Sequence, residues 1–163
     1  MSTARARAGA ATIHNTLYIT GGYNRDDTLC SAECFDTTAE QWIPLAQMTH
    51  ARLSPGVCAL HGQLYAIGGE DDGTSSEVYN PKNDTWTQTN PPNNPTNRGD
   101  MVLVTLNTAA IVLGLGPQYN KCEKFSPSTG SWTELPDMPL GRTAFAAVAM
   151  ANKLYVLAGN SKD

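Results

Sequence analysis

The sequence predicts an all-β fold built from a repeated four-stranded antiparallel unit, about three and a half copies of it in 163 residues. Three observations carry that prediction. Arginines recur at Arg5, Arg52, Arg98 and Arg142, at intervals of 47, 46 and 44 residues, and a tyrosine stands thirteen residues after three of them, at Tyr18, Tyr65 and Tyr155, with Ile111 in the remaining copy. A Glu-x-aromatic triplet is followed, seven residues after its aromatic, by tryptophan: Glu33, Phe35 and Trp42; Glu77, Tyr79 and Trp86; Glu123, Phe125 and Trp132. Glycine pairs, Gly21-Gly22 and Gly68-Gly69, close apolar runs at matching places. A period of this size marks one supersecondary unit stacked on copies of itself.

Residues 8 to 13 and 17 to 20 read as two short strands around the turn His14-Asn15-Thr16. The glycine pair that follows admits positive φ and close backbone approach. A polar loop, YNRDDTLCS, leads to a third strand at Ala32 to Phe35, a turn, and a fourth strand at Gln41 to Leu45 carrying Trp42. The second copy repeats this, with turns at His61-Gly62-Gln63 and at Asn80 to Asp84. Its Pro- and Asn-rich end, NPPNNPTN, reads as a lengthened connection rather than a domain boundary, because the landmarks resume in phase at Arg98. In the third copy Gly114-Leu115 replaces the glycine pair, and the GLG there lacks the third glycine and following helix of a nucleotide-binding loop. The fourth copy stops after its first two strands. The repeats therefore run approximately 5–51, 52–97, 98–141 and, incomplete, 142–163. Four short antiparallel strands per unit are what a propeller blade requires. Closed propellers have about four to eight blades, so an arc of a longer ring is expected, with open edges that favour self-association.

Composition excludes several functions. Eleven basic against fifteen acidic residues give a net charge of −4, and the bases are scattered, which argues against nucleic acid and against a membrane surface as partner. The N-terminal MSTARARAGAATIHN has no continuous apolar core, so no secretory signal is expected. The longest apolar stretch is too short to span a membrane. Cys30, Cys34, Cys58 and Cys122 fall at unequal places in the repeats and form no metal-spacing set, so free thiols in a reducing, cytoplasmic setting are expected. The three histidines, His14, His50 and His61, read as turn residues at different phases of the repeat, with no ligand pair among them. No nucleophile with its base is recognisable, and neither a cofactor nor a metal is expected.

The glycine pairs, the Glu-x-aromatic triplets and the three tryptophans resemble the kelch family over essentially the whole chain. No tryptophan is followed by aspartate and no Gly-His pair opens a repeat, which separates the pattern from WD40 repeats of similar period. The resemblance implies a kelch-type β-propeller fragment that serves as a protein-interaction module, such as the substrate-recognition propeller of a cullin-type ubiquitin ligase adaptor. It also admits an enzyme on the same scaffold, such as a sialic-acid mutarotase or a copper-radical oxidase.

Residues that recur in every copy are expected to be scaffold. Trp42, Trp86, Trp132 and Tyr79 are expected in the core between blades, and Arg52 with Glu77, like their counterparts, in ion-paired links between strands. Recognition must then lie where the copies differ. The connection into the first strand and the loop between strands two and three emerge on one face of a blade. Two places after the repeat arginines stand Arg7, Ser54, Asp100 and Ala144, all different. The resemblance implies contact with a partner peptide at Arg7, Asn24, Arg25 and Ser54. Charge placement adds Glu70, Asp71, Asp72 and Asp100, so the face is expected to be basic over the first blade and acidic over the next two.

Overall fold

The computed structural model describes residues 1–69, 75–93, 101–115, 117 and 119–162. The first sheet contains β1 (Gly9–Ile13), β2 (Thr16–Thr20), β3 (Ala32–Asp36) and β4 (Gln41–Leu45), each paired antiparallel with the next. A second sheet repeats it with β5 (Gly56–Leu60), β6 (Gln63–Ile67), β7 (Ser76–Asn80) and β8 (Thr85–Thr89), and a third with β9 (Val102–Leu106), β10 (Ala109–Leu115), β11 (Lys121–Ser126) and β12 (Ser131–Leu135). The weak glycine signature of the third copy has a structural counterpart. Gly114, at φ 84°, sits in a register shift between Leu113 and Leu115, and β10 continues through it for seven residues.

The fourth copy holds more than the two strands expected. β14 (Ala146–Met150) pairs with β15 (Lys153–Leu157), and this hairpin is flanked by β13 (Gly141–Thr143) paired with β16 (Asn160–Lys162). Thr143 and Asn160 occupy the places of Ala6 and Tyr23, which form an isolated antiparallel bridge in the first blade. In the first blade Tyr23 also bridges to Thr28, turning the loop away, whereas here the pairing continues.

The innermost strands β1, β5, β9 and β14 stand side by side. Residues from all four, including Ala11, Cys58, Val104 and Ala149, line one axial cavity of about 410 Å³. Blades radiating from an axis bury their apolar faces against each other, so the cores lie between blades. Ile13, Tyr18, Cys34 and Met48 meet Val57, Leu64, Ala66 and Tyr79 across the first such interface. Cys58, Leu60 and Tyr65 meet Ala110 and Phe125 across the second. Val104, Ile111 and Leu113 meet Phe145 across the third. Burying a side chain such as Leu64 contributes roughly 1.5–3 kcal/mol.

The equivalent face of the fourth unit, Val148, Met150, Tyr155 and Leu157, is 49, 61, 38 and 56% exposed. It alternates with the face packed on the third blade, as the two-residue strand period requires.

The tryptophans lie at the outer rim of these cores rather than within them. Trp42, Trp86 and Trp132 are half-buried on the outermost strands. The large side chains removed from solvent instead include Arg52, Tyr79, Leu64, Glu33, Glu77 and Glu123. An indole N–H needs an acceptor, and for Trp86 and Trp132 the rim provides one from the preceding blade's connection.

Candidate functional site

The first two blades carry the same buried clamp beneath their loop face. The Arg52 guanidinium donates to the carbonyls of Gly68 and Ser75 at 2.8 and 3.1 Å, to Ser75 Oγ at 2.7 Å and to Glu77 Oε1 at 2.9 Å. Arg5 repeats the set on Gly21, Ser31 and Glu33, its link to Glu33 being 2.8 Å. Arg142 reaches the carbonyl of Ala158 at 2.8 Å. Arg98 lies outside the described residues.

The glutamates hold the segment that leads into the blade. Glu33 accepts from Ser2 N, Ser2 Oγ and Thr3 N, Glu77 from Thr49 N and His50 N, and Glu123 from Asn93 N. Burial opposes charge on Glu33 and Glu77. For Glu33 the Arg5 guanidinium and the Ser2 and Thr3 donors outweigh it and hold the carboxyl down at about 2. For Glu77 the Thr49 amide, Arg52 and the His50 amide do the same.

The glycine pairs make the clamp geometrically possible. A Cβ on Gly21 would come within 2.5 Å of the Arg52 carbonyl oxygen, and one on Gly22 within 2.5 Å of the Ala6 carbonyl oxygen. Both have positive φ, as do Gly68 and Gly69. Gly22 N donates to that same Arg52 carbonyl at 2.7 Å, so the second blade's lead-in is bonded to the first blade's glycine turn.

The clamp fixes the backbone of the variable face. Arg7, Ser54 and Ala144, two places after their arginines, all hold left-handed φ, at 53, 54 and 51°. Ser54 N donates to the Arg7 carbonyl at 2.9 Å, joining the position in one blade to its equivalent in the next. Ala6 and Tyr23 exchange two backbone hydrogen bonds of 2.9 Å, which brings the β2–β3 loop beside Arg7. Within that loop Asn24 Oδ1 accepts from the amides of Asp26 and Asp27, a local turn that presents Arg25. Asn24, Arg25, Tyr23 and the Ser2–Ala6 segment line a concavity of about 700 Å³.

Arg7, Asn24, Arg25 and Ser54 thus fall on one face. Glu70, Asp71, Asp72 and Asp100 lie outside the described residues. The basic character expected over the first blade is diluted, because exposed Asp26 and Asp27 directly follow Arg25. Tyr23, 43% exposed, belongs to the loop expected on this face but was not singled out as a contact residue. Its position just after Gly21-Gly22 was the available signal.

On the opposite face, His14 and His61 are equivalent rather than out of phase. Each opens the first hairpin turn of its blade at left-handed φ, 52 and 51°. The cysteines are free thiols. Burial pushes the Cys34 and Cys122 thiols up, and Cys58 to about 12, which makes these three poor nucleophiles. Among the described residues no three His, Cys, Asp or Glu side chains converge as metal ligands, and no helix is long and apolar enough to cross a membrane.

A family model described as Kelch motif matches residues 4–49 and 51–93. Kelch-like protein 23 of Homo sapiens is 28% identical over 167 aligned positions, covering 99% of this chain and 29% of that protein. Kelch-like ECH-associated protein 1A of Danio rerio is 36% identical over 89 residues, 50% of this chain and 15% of that protein. The chain therefore spans less than a third of the length of either relative. The solved structure of YjhT superposes with a TM-score of 0.78 at 18% identity, over 94% of this chain and 57% of that one, which shows a shared fold. Repeat period, blade pairing and the family match together place this chain in the Kelch-motif family, as a propeller arc of three four-stranded blades and a fourth unit begun by the β14–β15 hairpin.

Proposed function

We propose that this chain is the partner-binding part of an adaptor protein, receiving a peptide segment of a protein substrate across the loop face, and that the adaptor serves a cullin-type ubiquitin ligase in the cytoplasm. The observation that carries the reading is the set of left-handed residues at Arg7, Ser54 and Ala144. A non-glycine residue in this conformation costs of order 1–3 kcal/mol and persists only where the surroundings impose it. In the first two blades the clamp imposes the backbone and leaves the side chain free to vary. That combination suits recognition, because a rigid platform presents different chemistry at each step around the axis.

Similarity to kelch-like proteins supports the interaction reading, and one relative's name records association with another protein. The four free thiols fit a reducing compartment. The test compares proteins captured by the wild-type chain, by R7E/R25E on the loop face, and by Q63A/K82E on the opposite face. The reading expects a cullin ligase substrate whose capture is lost only with R7E/R25E. Loss only with Q63A/K82E would overturn the assignment of the face.

A further inference from the structure

We propose that the groove between the first two blades, on the side opposite the loop face, binds a small organic carboxylate. The β1–β2 and β5–β6 turns and the turn between β7 and β8 enclose a cavity of about 570 Å³ there. That volume falls within the usual range of small-molecule sites, about 300–1,000 Å³. Its ionisable lining is His14, His61, Lys82 and Tyr18, with no carboxylate. In a chain of net charge −4, a concave surface holding three basic side chains and no acid is selective for anions.

The bases are not demanded by the scaffold. His14 and His61 stand at a left-handed turn position that Asn107 fills in the third blade, at φ 56°. Asparagine tolerates that conformation more readily than histidine, so the turn alone does not select an imidazole. The residue equivalent to Lys82 in the third blade is Ser128, so the corresponding groove one blade on lacks both the second imidazole and the ammonium.

The bases are also available. None of the three side chains makes a hydrogen bond or ion pair among the described residues. Two neighbouring acids already accept hydrogen bonds elsewhere, Asp84 across the blade boundary and Asp36 within its own turn. Asp84 Oδ1 accepts from Tyr79 Oη and Ala46 N, both at 2.9 Å, and Asp36 Oδ1 accepts from Thr38 N at 2.8 Å and Ala39 N at 3.1 Å. Imidazole and ammonium donors suit a carboxylate, while Ile13, Tyr18 and Pro81 offer an apolar wall to the body that carries it.

Benzoate, benzamide and inorganic phosphate serve as probes, followed through the imidazole resonances of the three histidines in the intact chain. His50 is the internal control, since it lies in the lead-in to the second blade with Nδ1 3.6 Å from Glu77 Oε1. Benzoate is expected to shift His14 and His61 saturably and leave His50 unmoved. Benzamide, of the same shape without the charge, should bind at least about tenfold more weakly. The variant H14N/H61N/K82Q keeps residues suited to the turns and should lose benzoate binding, read from backbone amides, while its spectrum stays folded. The proposal fails if benzamide binds as well as benzoate, if phosphate binds as tightly, if His50 shifts equally, or if no response saturates.

Discussion

The Trp86 indole donates through Nε1 to the carbonyl of Ala46, 2.9 Å away across the boundary between the first two blades. Trp132 repeats the contact one blade on, reaching the carbonyl of Asn90 at 2.8 Å. In both cases the acceptor lies four residues past the preceding blade's tryptophan. The second and third blades are therefore latched at their outer rims to the connection that leaves the preceding blade. Asp84 adds a second latch, since its carboxylate takes both the Ala46 amide and the Tyr79 hydroxyl.

Trp86→Phe keeps most of the ring contact with Tyr79 and removes the latch donor. It should cost about 1–3 kcal/mol, the penalty for a carbonyl left without its partner. Trp42→Phe should cost less, because Trp42 Nε1 has no acceptor among the described residues. Urea denaturation of the two variants checks the difference, and equal losses would show that the latch contributes nothing beyond packing.

The ion pair of Arg52 and Glu77 is fully buried on both sides. Removing one partner leaves an uncompensated charge, so Arg52→Met or Glu77→Gln should each destabilise by about 3–5 kcal/mol. The double variant R52M/E77Q should lose less than the sum of the two. Additive losses in a double-mutant cycle would mean that the two residues act through separate contacts.

Much of this fold was legible in the sequence because the repeat made local patterns testable against one another. β4 matches its expected span of Gln41–Leu45, and β1 to β3 differ from expectation by one residue at an end. What escaped was set by contacts distant in sequence. Nothing near Asp84 announces that it bonds to Ala46, and the pairing of β13 with β16 needs the hairpin between them to be in place. The variable position at Arg7 and Ser54 was visible as variation. Its left-handed backbone was not, because neither arginine nor serine signals that conformation and the clamp that imposes it comes from another strand.

Gly22→Ala tests that clamp. An added Cβ would meet the Ala6 carbonyl oxygen at 2.5 Å, in a backbone conformation at φ 85° that alanine rarely adopts. The substitution should cost at least about 1–3 kcal/mol and should also displace the Ala6–Tyr23 bridge. Gly62→Ala is the control, with φ 74° but open space around the new methyl. Comparable losses in both would assign the effect to φ alone.

The uncovered face of β14 and β15 should promote association between chains, since its counterparts in the other blades are buried against a neighbour. Val148→Ser with Leu157→Ser, both exposed by about half, should reduce concentration-dependent sedimentation without lowering stability. An unchanged sedimentation profile would show that this face does not self-associate.

Acid stability should depend on Glu33. Its folded-state carboxyl sits at about 2 against an ordinary 4.5, because Arg5, Ser2 and Thr3 favour the ionised form strongly enough to overcome burial. A depressed carboxyl stabilises the fold in full above its unfolded value and loses that contribution as pH falls toward the folded one. Glu77 is displaced in the same direction and adds to the effect. Unfolding free energy should therefore fall between about pH 4.5 and about pH 2. Glu33→Gln should lower stability at neutral pH, since it leaves Arg5 without its counter-charge, and should flatten the acid slope, since the titrating group is gone. Denaturation at a series of pH values separates the two effects. A slope unchanged in Glu33→Gln would place the acid sensitivity elsewhere in the chain.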